Sequence, residues 1–252
     1  MGVAGGIAGL LLLGAGYVIL TGGDDGEVQA SASATPEPGS RSGTVARAAE
    51  PPAKVACGAK APAGAAKPTP QFNGPPPMTI DVEALYVATV ATSCGTYEVE
   101  LKPDIAPLAV NSFVFLADQG FYDGLTFHRI VEGFVIQGGD PVGNGSGGPG
   151  YQYDIETSPK QTFDAAGLLA FANSGPGTNG SQFFATLSPT PQLDPGGDAG
   201  EFTIFGEVTK GLDVVKRIGK IPGTENPGIA GEKSAPTEAV YIESITIEER
   251  PA

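Results

Sequence analysis

The chain has 252 residues, with 14 Lys and Arg against 28 Asp and Glu, a formal net charge of −14. That balance excludes binding driven by clustered cations on phosphate, so no nucleic-acid partner is expected, and it disfavours docking of a folded part on an anionic membrane. Apolar residues make up 40%, enough for a core, while 38 Gly and 23 Pro indicate a turn-rich β fold joined to low-complexity sequence.

Residues 1–23 carry no charged side chain, and "IAGLLLLGAGYVIL" (7–20) is strongly apolar. Its length is near that of a membrane span or of a signal-peptide apolar region. Asp24, Asp25 and Glu27 follow at once, which favours an extracytoplasmic location for what comes next, and "QASASA" (29–34) offers A-x-A cleavage matches. Residues 1–23 are therefore expected to be a transmembrane anchor or a cleaved signal. The chain would then be single-pass in the cell membrane with its domain outside, or secreted. Residues 24–79 are rich in Ala, Pro, Gly, Ser and Thr, and their five acids and five bases cancel. Such sequence buries too little apolar surface to offset its ordering entropy, so a disordered linker is expected.

The folded domain is expected over 80–252. "YVATVATSCGTYEVEL" (86–101) reads as two strands around a turn at Ser93–Gly95. "APLAVNSFVFLADQG" (106–120) has apolar residues at helical spacing, with Pro107 near its start and Gly120 at its end. Further strands are expected at 126–131, 133–138, 167–173, 182–187, 202–208 and 239–248, and a short helix at 211–219. Many strands joined by Gly-rich loops, with only two helices, point to a mainly β antiparallel barrel or sandwich.

"GNGSGG" (143–148) matches G-x-G-x-x-G, but Pro149 and "YQYDIE" follow where a dinucleotide site needs a helix. Asp194, Asp198 and Glu201 do not have calcium-loop spacing. Cys57 and Cys94 lack metal spacing; one disulfide between them is expected, with two free thiols as the alternative, and export would supply the oxidising surroundings for the bond. A nucleophile elbow to go with His128, the single histidine, is missing. More informative are "FHRIVEGFVIQGGDP" (127–141) and "FANSGPGTNGSQFF" (171–184), which combine aromatics with amides and glycines. They supply Arg129, Gln137, Asn173 and Gln182 as hydrogen-bonding groups, and Phe134, Phe184 and Leu193 as apolar wall. That composition suits a groove for a partly apolar polymer such as peptide. The motif offers Arg129 no evident acid partner.

Those two motifs, followed by "LD" (193–194) and "FTIFGEV" (202–208), resemble the cyclophilin family of peptidyl-prolyl isomerases over about 84–248. The resemblance implies a closed eight-stranded antiparallel β-barrel capped by two α-helices. It places the catalytic arginine on Arg129, oriented by Gln137. It puts the proline pocket on Phe134, Val135, Phe184 and Leu193, and the peptide groove along Gln137, Ala172, Asn173, Ser174 and Gln182. Val135 replaces a methionine common in the family. Gln192 stands where many eukaryotic members have tryptophan, and Phe202, at the substrate groove, where many have histidine. The implied partners are proline-containing polypeptides, and a monomer is expected. X–Pro rotation makes no bond to another atom, so neither a cofactor nor a metal is expected. The competing readings are a peptide-binding or chaperone module with little catalysis, and a structural envelope protein.

Overall fold

The first regular elements fall where none is expected. The computed structural model describes residues 37–65, 67–157, 161–197 and 199–250, so the apolar segment 1–23 lies outside the described residues. Strands β1 (Arg41–Val45) and β2 (Thr69–Phe72) pair antiparallel. Then come β3 (Leu85–Thr92), β4 (Gly95–Leu101), α1 (Pro107–Asp118), β5 (Arg129–Val131), β6 (Val135–Gly138), β7 (Leu168–Phe171) and β8 (Phe183–Thr186). The chain closes with β9 (Ile204–Lys210), α2 (Leu212–Ile218), β10 (Gly223–Asn226), β11 (Ile229–Pro236) and β12 (Ile242–Arg250). Among the described residues no helix is long and apolar enough to cross a membrane.

Eight strands form one curled antiparallel sheet in the order β12-β3-β4-β9-β7-β8-β6-β5. Period-two alternation gives it two faces. Val90, Val99, Ile130, Ile136, Leu169, Phe183 and Ala185 turn inward to one core, while Val135, Leu168, Ala170, Phe184 and Ile204 belong to a second apolar cluster. The expected closure is not a complete ladder. β12 and β5 end the sheet, and among the described residues the segment leading into β5 connects them. There Thr126 bridges Tyr241, and Gly124 and Phe127 donate to the carbonyls of Ile242 and Val240 at 2.8 and 3.0 Å.

Helix α1 lies on the inner core and starts at Pro107, whose fixed φ and missing N–H suit a first turn. Ala106 has no side chain to cap it, so the Glu156 carboxylate accepts from the N–H groups of Leu108 and Ala109 (3.0 and 2.9 Å). Phe113 is fully buried and packs on Tyr122, Phe183 and Phe205 with ring centroids 5.0–5.7 Å apart. Burial of such a ring contributes about 1.5–3 kcal/mol.

The expected disordered linker is corrected over residues 37–79, which form a strap along the sheet. Phe72 is 1% exposed and packs edge-on against Phe115 at 4.8 Å. Val55 and Ala239 form a short parallel bridge in which the Ala56 N–H donates to the Ala239 carbonyl and the Ala239 N–H to the Lys54 carbonyl. Arg47 Nη2 donates to the Gly124 carbonyl (2.7 Å), and Asn111 binds both Pro77 and Thr79. Cys57 and Cys94 are disulfide-bonded, with Cα atoms 5.2 Å apart. Main-chain hydrogen bonds and two or three buried side chains hold the strap. Neither leaves a periodic trace in the sequence. The β10–β11 hairpin is the other unexpected element, lying in a stretch (220–238) with no strand or helix signal.

Candidate active site

Antiparallel pairing assembles the site. Arg129 of β5 sits opposite Gln137 of β6, Gln137 opposite Phe184 of β8, and Phe184 opposite Ala170 of β7. Directly opposed residues share a face, so this row crosses four strands on one side of the sheet. The tight β5–β6 turn makes the register possible: Gly133 has φ +72°, and the Phe134 N–H donates to the Val131 carbonyl (3.0 Å).

A cavity of about 580 Å³ opens over that row. Its lining includes Arg129, Phe134, Val135, Gln137, Ala172, Asn173, Phe184, Leu193 and Phe202. A second cavity, of about 600 Å³, shares Gln137, Ala172 and Asn173 with it and is lined further by Ser174, Gln182 and Gln71. Every residue expected at the catalytic arginine, the proline pocket or the peptide groove therefore lines one of two adjoining hollows, a shape suited to an extended chain. Phe184 forms the floor, stacked on Phe163 at 5.9 Å and edge-on to Phe202 at 5.6 Å. Phe163 is fully buried, and sequence reasoning missed it because it lies outside both motifs. Asp194 accepts from its N–H (2.6 Å), which is what that acid does here; Asp198 lies outside the described residues. Gln192 is exposed on the turn that carries Leu193 into the pocket.

The amides are already wired together. Gln137 Nε2 donates to Gln182 Oε1 (3.1 Å), and Gln182 Nε2 donates to the carbonyls of Gly145 and Gly147 (2.9 Å each). Asn173 spends its side chain on two loops, donating to Asn179 Oδ1 and to the Glu201 carbonyl and accepting from the Gly175 N–H. What it can offer a peptide is its main chain, whose N–H and C=O have no partner among the described residues. The Gly-rich loop 143–148 turns inward: the fully buried Asp140 carboxylate accepts from the N–H groups of Val142, Asn144 and Gly145. Those donors are therefore not available for a phosphate.

Arg129 is not unpaired, and this corrects the expectation from its motif. Its Nε and Nη2 donate to Glu232 Oε1 and Oε2 of β11, both at 2.7 Å, and its Nη1 donates to Gln137 Oε1 at 3.3 Å. The bidentate pair holds the Glu232 carboxyl below its ordinary value, against a smaller opposing effect of burial. Glu232 lies 103 residues from Arg129, so no local pattern could have found it. His128 sits beside this pair with both ring nitrogens buried and unpartnered. Burial lowers its pKa; Asp140 opposes that and Arg129 adds to it. A neutral imidazole suits a packing role just ahead of β5.

Comparison with known proteins matches this arrangement. The family model for cyclophilin type peptidyl-prolyl cis-trans isomerases matches residues 87–247. The chain belongs to that family. Peptidyl-prolyl cis-trans isomerase B of Streptomyces anulatus is 45% identical over 185 residues, 67% of this chain and 99% of that one. Peptidyl-prolyl cis-trans isomerase-like 1 of Neurospora crassa is 48% identical over 136 residues, 53% of this chain and 80% of that one. A crystal structure of a cyclophilin type isomerase from Cryptosporidium parvum is 33% identical, covers 66% of this chain and 99% of its own, and superposes with a TM-score of 0.58. The same protein has been solved in the presence of the dipeptide Ala-Pro, with a TM-score of 0.57.

Proposed function

We propose that this chain accelerates X–Pro rotation in exported polypeptides, with Arg129 as the donor to the twisting bond. The observation that carries this reading is the Arg129–Gln137 cross-strand pair standing over the Phe184 pocket. Uncatalysed, the rotation takes tens of seconds because about 20 kcal/mol of amide resonance must be broken. In the twisted state the prolyl nitrogen regains a lone pair, and a guanidinium N–H can bond to it. That bond is far weaker in either planar state, and the difference lowers the barrier. Millisecond exchange needs roughly 5–6 kcal/mol, at about 1.4 per factor of ten. One charged hydrogen bond supplies about 1.5–3 kcal/mol. The rest falls to Phe134, Val135, Phe184, Leu193 and Phe202, which hold the ring in place. Ala172, Asn173, Ser174 and Gln182 align the backbone.

The export context draws support from the Cys57–Cys94 bond, which needs an oxidising compartment, and from the apolar run 7–20 followed by acids. On this reading residues 1–23 anchor the chain or are cleaved from it, and the domain works as a monomer outside the membrane. Closure of the barrel through residues 124–127 and 240–242 belongs to the same reading, which those backbone bonds support. One observation favours a second reading, a module that holds proline segments with little catalysis: Arg129 is already paired with Glu232. Isomerisation of an Ala-Pro peptide by the full chain and by Arg129→Ala separates the two. A slow wild type equal to its mutant would favour the binding module.

A further inference from the structure

A guanidinium has five N–H donors. In Arg129 the protein uses three, Nε and one on Nη2 for Glu232 and one on Nη1 for Gln137. One hydrogen on each terminal nitrogen is left over, and because Glu232 takes the Nε–Nη2 side, the spare hydrogen of Nη2 lies on the outer edge of the group. The geometry points to Glu232 as the positioning residue of the reaction: its carboxylate locks the Nε–Nη2 edge so that the outer edge is presented to the bound X–Pro bond. The inference rests on Arg129 being the donor in the reading above.

The β10–β11 hairpin is built to deliver that carboxylate. Alternation along β11 sends Glu232 and the fully buried Ser234 to one side and the exposed Lys233 to the other. Ser234 Oγ donates to Glu232 Oε1, Asn226 Nδ2 donates to Ser234 Oγ (2.8 Å), and the Gly228 N–H donates to Asn226 Oδ1 (2.9 Å). Irregular register on either side of Glu225 bends the hairpin, and β11 lies beside β5. The outcome is one line of bonds running from Ser234 through Glu232, Arg129, Gln137 and Gln182 to the carbonyls of Gly145 and Gly147.

Without Glu232 the arginine would hang from a single 3.3 Å bond to a neutral amide. A long side chain so held keeps much of its rotamer freedom and must be ordered anew in each turnover. The side chains of Arg129 and Glu232 are 18% and 25% exposed, so the pair is neither freely solvated nor sealed. A substrate can reach the outer edge without breaking it.

The test uses the full chain as wild type, Glu232→Ala, Glu232→Gln, Arg129→Ala and the double variant Arg129→Ala/Glu232→Ala. Isomerisation of an Ala-Pro peptide is followed to separate kcat from KM, alongside a thermal melt of each protein. Glu232→Ala should lower kcat roughly ten- to hundredfold, the scale of a misplaced group, with KM little changed and the fold intact. Glu232→Gln should resemble it, because its amide nitrogen turns a donor towards a donor. The double variant should be no slower than Arg129→Ala, since Glu232 acts only through the guanidinium. Wild-type or higher activity in Glu232→Ala would overturn the inference, and higher activity would mean that Glu232 competes with substrate. So would a double variant slower than Arg129→Ala by the full single-mutant factor. An inactive wild type, or an Arg129→Ala as fast as wild type, would overturn the isomerase reading itself, and the inference with it.

Discussion

Removing the Cys57–Cys94 bond should destabilise the whole domain, and its size follows from the strap. The bond spans a sequence separation of 37. On the chain-entropy model a loop of that length restrains the unfolded chain by about 4 kcal/mol. A floppy tether would forfeit most of that value, because it need not be ordered when the sheet folds. This strap is ordered on both sides of Cys57: Ala56 is 1% exposed and donates to Ala239, and Phe72 is buried beyond it. The restraint should therefore be felt nearly in full. For a domain of this size about 4 kcal/mol corresponds to a fall in Tm of roughly 8–16 °C. Cys57→Ala/Cys94→Ala and the reduced wild type should melt alike in calorimetry, both well below the oxidised protein. One correction can be checked separately. Cys57 has φ +60°, a left-handed backbone that costs a residue with a Cβ about 1–2 kcal/mol, so Cys57→Gly/Cys94→Ala should recover part of the loss. A Tm shift under about 2 °C on reduction would refute the reasoning, for it would mean that the strap is not part of the cooperative unit.

Gly147→Ala should lower kcat/KM and destabilise by about 1–3 kcal/mol, the cost of an unsatisfied buried group, because a Cβ there would sit 2.7 Å from Val142 Cγ2 and closer still to Asp140 Oδ1. Faster hydrogen exchange at Val142, Asn144 and Gly145 is the direct readout. Phe184→Ala should cost about 3–5 kcal/mol in denaturant melts as well as weaken peptide binding, since its ring stacks on Phe163. Gln192→Trp should tighten binding of a proline-containing peptide, measured by titration calorimetry, because an indole at this exposed position adds apolar area and a donor beside Leu193. The pH dependence of stability tests His128. Its folded pKa is lowered, so the unfolded chain binds the extra proton and stability falls as pH drops through about 6.5. Denaturant melts of His128→Phe should lose that slope; carboxyls raised by burial, such as Glu156, act with the opposite sign at lower pH.

Where local pattern and tertiary environment agreed, the sequence by itself determined the outcome. Alternation and helical spacing placed the eight strands of the main sheet and both helices within a few residues, as with the helix expected at 106–120 and found at Pro107–Asp118. Two unbroken motifs carried Arg129 with Gln137 on β5–β6, and Asn173 and Gln182 with Phe184 around β7–β8, because each antiparallel pair is near in sequence as well as in space; the β6–β8 pairing that joins the two was made by folding. Tertiary structure alone decided the rest. The strap looked disordered because main-chain bonds and a few buried residues such as Phe72 hold it, and these have no period to read. Phe163 became the underside of the pocket only when its loop folded beneath Phe184. Glu232 lies in a polar stretch that, read along the chain, is an ordinary solvated turn. It became the partner of Arg129 because β11 lies beside β5, a contact made by folding across 103 residues and not by any neighbouring residue.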